Sequence, residues 1–189
     1  MNIILMRHGK PVLTETAWVS PAGMARWIAH YDESIVETCD IPAASKQAAQ
    51  AASMIVASPS ARALASVEAL GLCAAVTDAV FAEAQLPFAL WSYPRLSPFA
   101  WAAVFRILWL CGYARGADPI CLVRARARQA ADRLSLLAAE NDVLLMGHGV
   151  MNRLIAKELR RSGWRGMGKH EERYWSANVF TCVAVINYP

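Results

Sequence analysis

Two histidines, each followed by glycine and each ending an apolar run, are the side chains best placed to do chemistry. Ile3-Ile4-Leu5-Met6 runs into Arg7-His8-Gly9, and Val143-Leu144-Leu145-Met146-Gly147 runs into His148-Gly149. Imidazole changes charge near neutral pH, so a neighbouring cation such as Arg7 decides which form is present. A third junction, Met54-Ile55-Val56-Ala57 before Ser58-Pro59-Ser60-Ala61-Arg62, adds a second arginine. Ser58 is expected to cap a helix with Pro59 in its first turn, which sets Arg62 about one turn in. Two guanidinium forks beside two imidazoles suit an anion, because a fork donates paired hydrogen bonds to its oxygens.

These residues need strands to carry them to one place. Short apolar runs bounded by Gly read as buried strands, and in open α/β sheets ligands bind at the carboxyl ends of such strands. Strands are expected over Ile3 to Met6, Met54 to Ala57, Ala75 to Phe81, Val143 to Gly147 and Phe180 to Ile186. Helical spacing covers Pro21 to His30, Ala44 to Ser53, Ser60 to Leu70, Pro98 to Tyr113, Pro119 to Glu140 and Val150 to Arg161. The alternation predicts a three-layer α/β/α sandwich with a mostly parallel central sheet. At 189 residues and 56% hydrophobic content, with no repeat or linker, one domain over 1–189 is expected.

Composition narrows the partners. A net charge of +4, with arginines spread between helices, gives no support for a nucleic-acid stripe and suits small anions such as phosphate. Cys39, Cys73, Cys111, Cys121 and Cys182 are odd in number and lack ligand spacing, so buried free thiols are expected rather than disulfides or a zinc site. With no leader-like start, a cytoplasmic location is expected. Nothing in the sequence supplies a metal cage, and no cofactor is implied.

Four elements in order, Arg7-His8-Gly9, Ser58-x-x-x-Arg62-Ala63, Glu83 after the third strand and Gly147-His148-Gly149, make the chain resemble the histidine phosphatase superfamily, which includes the phosphoglycerate mutases. The resemblance spans most of the chain and implies the phosphoglycerate mutase-like fold. It also implies a metal-independent phosphomonoester hydrolase in which His8 attacks phosphorus to form a phosphohistidine. Arg7 and Arg62 would hold the equatorial oxygens, and His148 would add a donor. Nearby positive charge should keep the His8 imidazole neutral. Gly9 and Gly149 fall in the substrate-binding set, with backbone N–H groups at Gly149 and Val150 adding to the anion site. Glu83 would protonate the leaving alkoxide and then take a proton from water, with Asp78 a weaker candidate.

Departures from the family pattern shape the rest. Lys10-Pro11 and Thr14 follow the tripeptide where a mutase carries other residues, so a phosphatase is the better reading, and Lys10 is a candidate for a second anionic group. The segment after Glu83 lacks the glycine and tryptophan that often follow the family's acid. That motivates an alternative: a catalytically weak phosphate-binding or regulatory module, with a mutase third.

Residues 84–116 are strongly apolar, and the resemblance makes them a cap over the site. Trp91, Trp101 and Trp109 are expected near its entrance, favouring an apolar or bulky leaving group. The 98–113 helix is too short and too charged at Arg106 to span a membrane. Cap, core helix, homodimer contact and membrane-surface contact stay open for it. Arg124, Arg126, Arg128 and Arg133 read as a solvated face, as do Lys157, Arg160 and Arg161. His30 and His170 read as surface or packing residues, and Trp164, Trp175 and Asn178 receive no role.

Overall fold

Strand β1 (Asn2–Arg7) lies inside a sheet because neither of its faces is polar. Ile3 and Leu5 alternate with Ile4 and Met6, and all four are buried, two in each of two separate cores. The computed structural model describes residues 1–12, 17–168 and 171–182. Within them, β2 (Met54–Ala57), β3 (Val76–Thr77), β4 (Val143–Gly147), β5 (Trp164–Met167) and β6 (Ala177–Cys182) complete a six-stranded sheet of order β3-β2-β4-β1-β6-β5. The first four strands run parallel, whereas β6 is antiparallel to β1 and β5 to β6.

Helices cover both faces. α5 (Ile120–Leu137) and α6 (Gly149–Arg161) bury Ala127, Leu134, Ile155 and Leu159 against Ile3, Leu5, Val143 and Leu145. α2 (Ala43–Gln50) and α3 (Ala61–Ala69) bury Ala49, Ala63 and Val67 against Ile4, Met6, Leu144 and Met146. The architecture is therefore the expected α/β/α sandwich. A third core joins α1 (Met24–Glu33) to α4 (Pro98–Leu110) through Met24, Trp27, Trp101 and Phe105. No helix among the described residues is long and apolar enough to cross a membrane.

Several local expectations need correction. The strand expected over 75–81 pairs only at Val76–Thr77. Asp78 Oδ1 then accepts from Val80 N–H and starts a 3₁₀ turn, Ala79–Phe81. α1 begins three residues later than expected and carries Tyr31 and Asp32 in its last turn. β5 falls outside the expected strands: it is an edge strand of pattern buried-exposed-exposed-exposed, without alternation to reveal it. The last strand begins at Ala177 rather than Phe180, and its expected continuation over 183–186, like Thr14 and His170, lies outside the described residues. The cysteines are free, but all five are exposed rather than buried.

Candidate active site

Parallel pairing brings three strand ends together. His8 N–H donates to Gly147 O at 3.0 Å, and Ser58 N–H donates to Met146 O at 3.0 Å, so the residues leaving β1, β2 and β4 stay in register. His8, Ser58 and His148 consequently sit side by side at the carboxyl edge, as expected for this sheet type. The two imidazoles lie 5.1 Å apart between centroids, edge to face, and both are buried.

His8 Nδ1 lies 2.7 Å from Gly9 O. A carbonyl can only accept, so Nδ1 carries the hydrogen and the Nε2 lone pair is free. The His8 pKa is lowered to about 3, chiefly by burial and then by the charge of His148, with Arg62 and Arg7 adding to the effect against the Gly9 carbonyl. His148 is likewise lowered to about 3, by burial first and then by Arg62, Arg7 and Arg126. Both rings are therefore neutral at pH 7. His148 Nε2 is 2.8 Å from Ser58 Oγ and 3.2 Å from Ser60 Oγ.

Those serines correct the expected cap. Ser60, not Ser58, caps α3, its Oγ accepting from Ala63 N–H at 3.3 Å, which frees the fully buried Ser58 to hold His148. The cap still delivers Arg62, 3% exposed, to the cleft. Arg62 donates to Tyr31 O and, at 3.1 Å, to Asp32 Oδ1. Its guanidinium lies 4.5 Å from the Tyr31 ring centroid, and that of Arg7 lies 4.1 Å from the Tyr174 ring. Burial, together with the neighbouring Tyr174 phenol that shares a hydrogen bond with it, holds the Tyr31 phenol above its ordinary range. Arg7 and Arg62 thus each rest on one member of a tyrosine pair.

The donors complete the pattern. The described residues contain four buried side-chain nitrogens without a hydrogen-bond partner: Arg7 Nε, Arg62 Nε, Arg106 Nη1 and His148 Nδ1. All four side chains line one cleft of about 780 Å³ together with His8 and Glu83. Unpaired buried guanidinium N–H groups are uncommon in folded proteins, and a tetrahedral oxyanion would satisfy them from several directions; His148 Nδ1 joins them as a donor in the tautomer whose Nε2 accepts from a serine hydroxyl.

Glu83 reaches the same cleft in a guise the sequence did not suggest. Its Oε1 accepts from Ala84 N–H and Met151 N–H, each at 2.9 Å, and its Oε2 accepts from Val150 N–H at 3.2 Å. The carboxylate thereby occupies the positive end of α6. Val150 N–H, expected to bind the anion, is taken by Glu83. Arg126, expected to be solvated, donates to Ala82 O at 2.6 Å and Glu83 O at 3.3 Å and braces this turn. Asp78 faces elsewhere, paired with Arg133 at 3.3 Å.

Gly9 has a different task from the expected substrate contact. Its N–H donates to Ser66 Oγ at 2.9 Å, its carbonyl fixes the His8 tautomer, and it does not line the cleft. A Cβ on Gly9 would fall 2.5 Å from Trp175 Cζ2, so the ring of Trp175 packs where a side chain would be. Gly149 does line the cleft, and a Cβ there would press on Arg7 at 3.4 Å. Lys10 pairs with Glu37 at 3.2 Å and does not line the cleft.

Positioning residues missed by sequence reasoning include Asn152 and Asn178. Asn152 Nδ2 donates to Met6 O at 3.0 Å while its Oδ1 accepts from His148 N–H at 3.3 Å, linking the two histidine junctions. An asparagine on the second turn after Gly147-His148-Gly149 is the only signal available for it. Asn178 holds both backbone groups of Glu171 at 2.8 Å, fixing the segment that carries Glu172 and Tyr174 to the cleft. Trp101 and Trp109 do not shape the entrance: both are buried, their indole N–H groups donating to Val19 O and Asp118 O. Trp91 also lies off the cleft, whose aromatic lining is Trp27, Tyr31, Phe88, Phe99 and Tyr174. No cluster of three or more metal-ligating side chains occurs among the described residues.

No family model matches the chain, and neither does any curated protein sequence. Its fold recurs in solved structures. The product of open reading frame Rv3214 from Mycobacterium tuberculosis aligns at 17% identity over 82% of this chain and 77% of its own, with a TM-score of 0.55. TTHB049 from Thermus thermophilus aligns at 16% identity over 95% of this chain and 92% of its own, also at 0.55. A phosphoserine phosphatase from Entamoeba histolytica, solved with 3-phosphoglyceric acid, aligns at 18% identity over 85% and 80%, at 0.52. The chain shares its phosphoglycerate mutase-like α/β/α fold with these structures.

Proposed function

We propose that this chain is a metal-independent phosphomonoester hydrolase that works through a phosphohistidine on His8. The observation that carries the reading is the free Nε2 lone pair of His8 in a cleft lined by buried arginine and histidine nitrogens without partners. The likeness to a phosphoserine phosphatase agrees with it at the level of the fold.

In the first step, His8 Nε2 forms a bond to phosphorus as the bond from phosphorus to the leaving oxygen breaks. Arg7, Arg62 and His148 Nδ1 donate to the equatorial oxygens, where negative charge is concentrated. Glu83 gives its proton to the leaving oxygen. Its Oε2 accepts a single hydrogen bond, so a lone pair on that oxygen is left to carry the proton. In the second step water attacks phosphorus, its proton passes to Glu83, and the N–P bond breaks to return the lone pair to Nε2.

One observation favours the weaker reading of a phosphate-binding module. Two backbone N–H groups of α6, from Val150 and Met151, and the neighbouring Ala84 N–H hold the Glu83 carboxylate, a task that a helix cap alone would explain. Release of inorganic phosphate from an aryl phosphate, with chelator present, separates the two. Chelator-resistant turnover that is lost in His8→Ala supports the hydrolase, whereas saturable vanadate binding without turnover supports the module.

A further inference from the structure

Resting on the hydrolase reading, we infer that the substrate is a phosphomonoester whose leaving alcohol is uncharged and aromatic. The cleft is far larger than a phosphoryl group needs, and its volume of about 780 Å³ falls among ligand pockets for whole small molecules. Two features of the walls say what fills the remainder.

The first is a continuous aromatic face. Phe99 of α4 meets Trp27 of α1 edge to face at 5.6 Å, Trp27 stacks on Tyr31 at 5.2 Å, and Tyr31 carries the Arg62 guanidinium. All four line the cleft, so the face runs from the anion site to Phe99, which is 55% exposed. Leu86 and Phe88 extend the apolar lining. A planar ring next to the phosphoryl group would bury its area here and stack or meet an edge, as aromatic pairs prefer.

The second is the charge balance. The charged lining among the described residues is four arginines against Asp32, Glu83 and Glu172. Arg62 is paired with Asp32 and Arg153 with Glu172. When Glu83 carries its proton, two positive charges remain in surplus. A phosphomonoester brings about that much negative charge on its own. A carboxylate or second phosphate on the leaving group would exceed that surplus, in a lining that also holds the carboxylates of Asp32 and Glu172. Lys10, the residue that would have served such a group, is paired with Glu37 away from the cleft.

The test compares kcat/KM for phenethyl phosphate, ethyl phosphate and 3-phosphoglycerate, all esters of alkyl alcohols, in the wild type and in Phe99→Ala. Phe99 is 55% exposed, so folding should persist in Phe99→Ala, and ethyl phosphate, which carries no ring, is the reference ester. A preference of at least about tenfold for the phenethyl ester over each of the others is expected, the range a hydrophobic pocket supplies. Most of that preference should vanish in Phe99→Ala through a raised KM for the phenethyl ester. Equal turnover of the three esters, or a preference untouched by Phe99→Ala, overturns the inference. Calorimetry with phenethylphosphonate and methylphosphonate reads the wall without turnover. Tighter binding of the aromatic phosphonate by a protein that hydrolyses none of the esters keeps the aromatic site and rejects the hydrolase. Equal binding of the two phosphonates rejects the aromatic site.

Discussion

Replacing Glu83 by Gln separates its two tasks. Oε1 already takes both 2.9 Å bonds, from Ala84 and Met151, and the amide oxygen of the substituted glutamine can keep them. Only the 3.2 Å bond from Val150 to Oε2 is lost, along with the carboxylate charge at the start of α6. One cap bond and one charge–dipole contact amount to about 1 to 2 kcal/mol. A chain of this length should then lose only a few degrees of Tm, roughly 2–4 °C per kcal/mol. The chemical loss should be far larger, since a positioned acid and base contributes about 10² to 10⁴ in rate. It should also depend on the leaving group. A nitrophenolate departs without a proton, so Glu83→Gln should keep a rapid burst of nitrophenolate while its steady-state rate falls, because water still lacks a base. Hydrolysis of phenethyl phosphate should show no fast phase at all. Stopped-flow kinetics on both esters, with thermal melts, checks this. Equal loss of the aryl and alkyl first steps would show that Glu83 only caps α6, and the assignment of the acid would fall.

Other expectations follow from the same geometry. Asn152→Ala removes the Oδ1 acceptor of the buried His148 N–H and one of the donors to Met6 O. It should cost about 1 to 3 kcal/mol in urea unfolding and lower kcat at least tenfold, and an unaltered kcat would deny it a positioning role. Gly9→Ala sets a Cβ 2.5 Å from Trp175 and should destabilise by roughly 1 to 3 kcal/mol, with a changed tryptophan emission. Because His8 and His148 bind protons far less readily folded than unfolded, unfolding is increasingly favoured as pH falls from about 6.5 toward 3. Each should forfeit roughly 3 kcal/mol between pH 7 and pH 4. Denaturation midpoints measured across that range should slope less in His148→Asn, and an unchanged slope would refute the buried neutral imidazole.

Much of this site was legible because the chemistry sits at strand ends. β1, β2 and β4 are buried on both faces and read as uninterrupted apolar runs, which sets His8, Arg62 and His148 at one edge from the sequence pattern alone. Glu83 was readable as a residue but not as a cap, because its partners Val150 and Met151 lie more than sixty positions away. Tyr174 and Glu172 escaped notice for a similar reason. They sit in irregular chain held by the bond from Trp175 N–H to Arg7 O and by Asn178, and irregular chain has no periodicity to read. The tryptophans of α4 misled because composition marks a segment as apolar without saying which turn faces the cleft. Phe99, Ala102 and Arg106 line it, while Trp101, Phe105 and Trp109 turn into the core.

The most direct test of the phosphohistidine account is to quench the reaction with a radiolabelled aryl phosphate within one turnover and map the labelled peptide. An alkali-stable, acid-labile phosphoryl group on His8, absent from His8→Ala, is the predicted result. Turnover with no labelled histidine, or a label retained in His8→Ala, would contradict it.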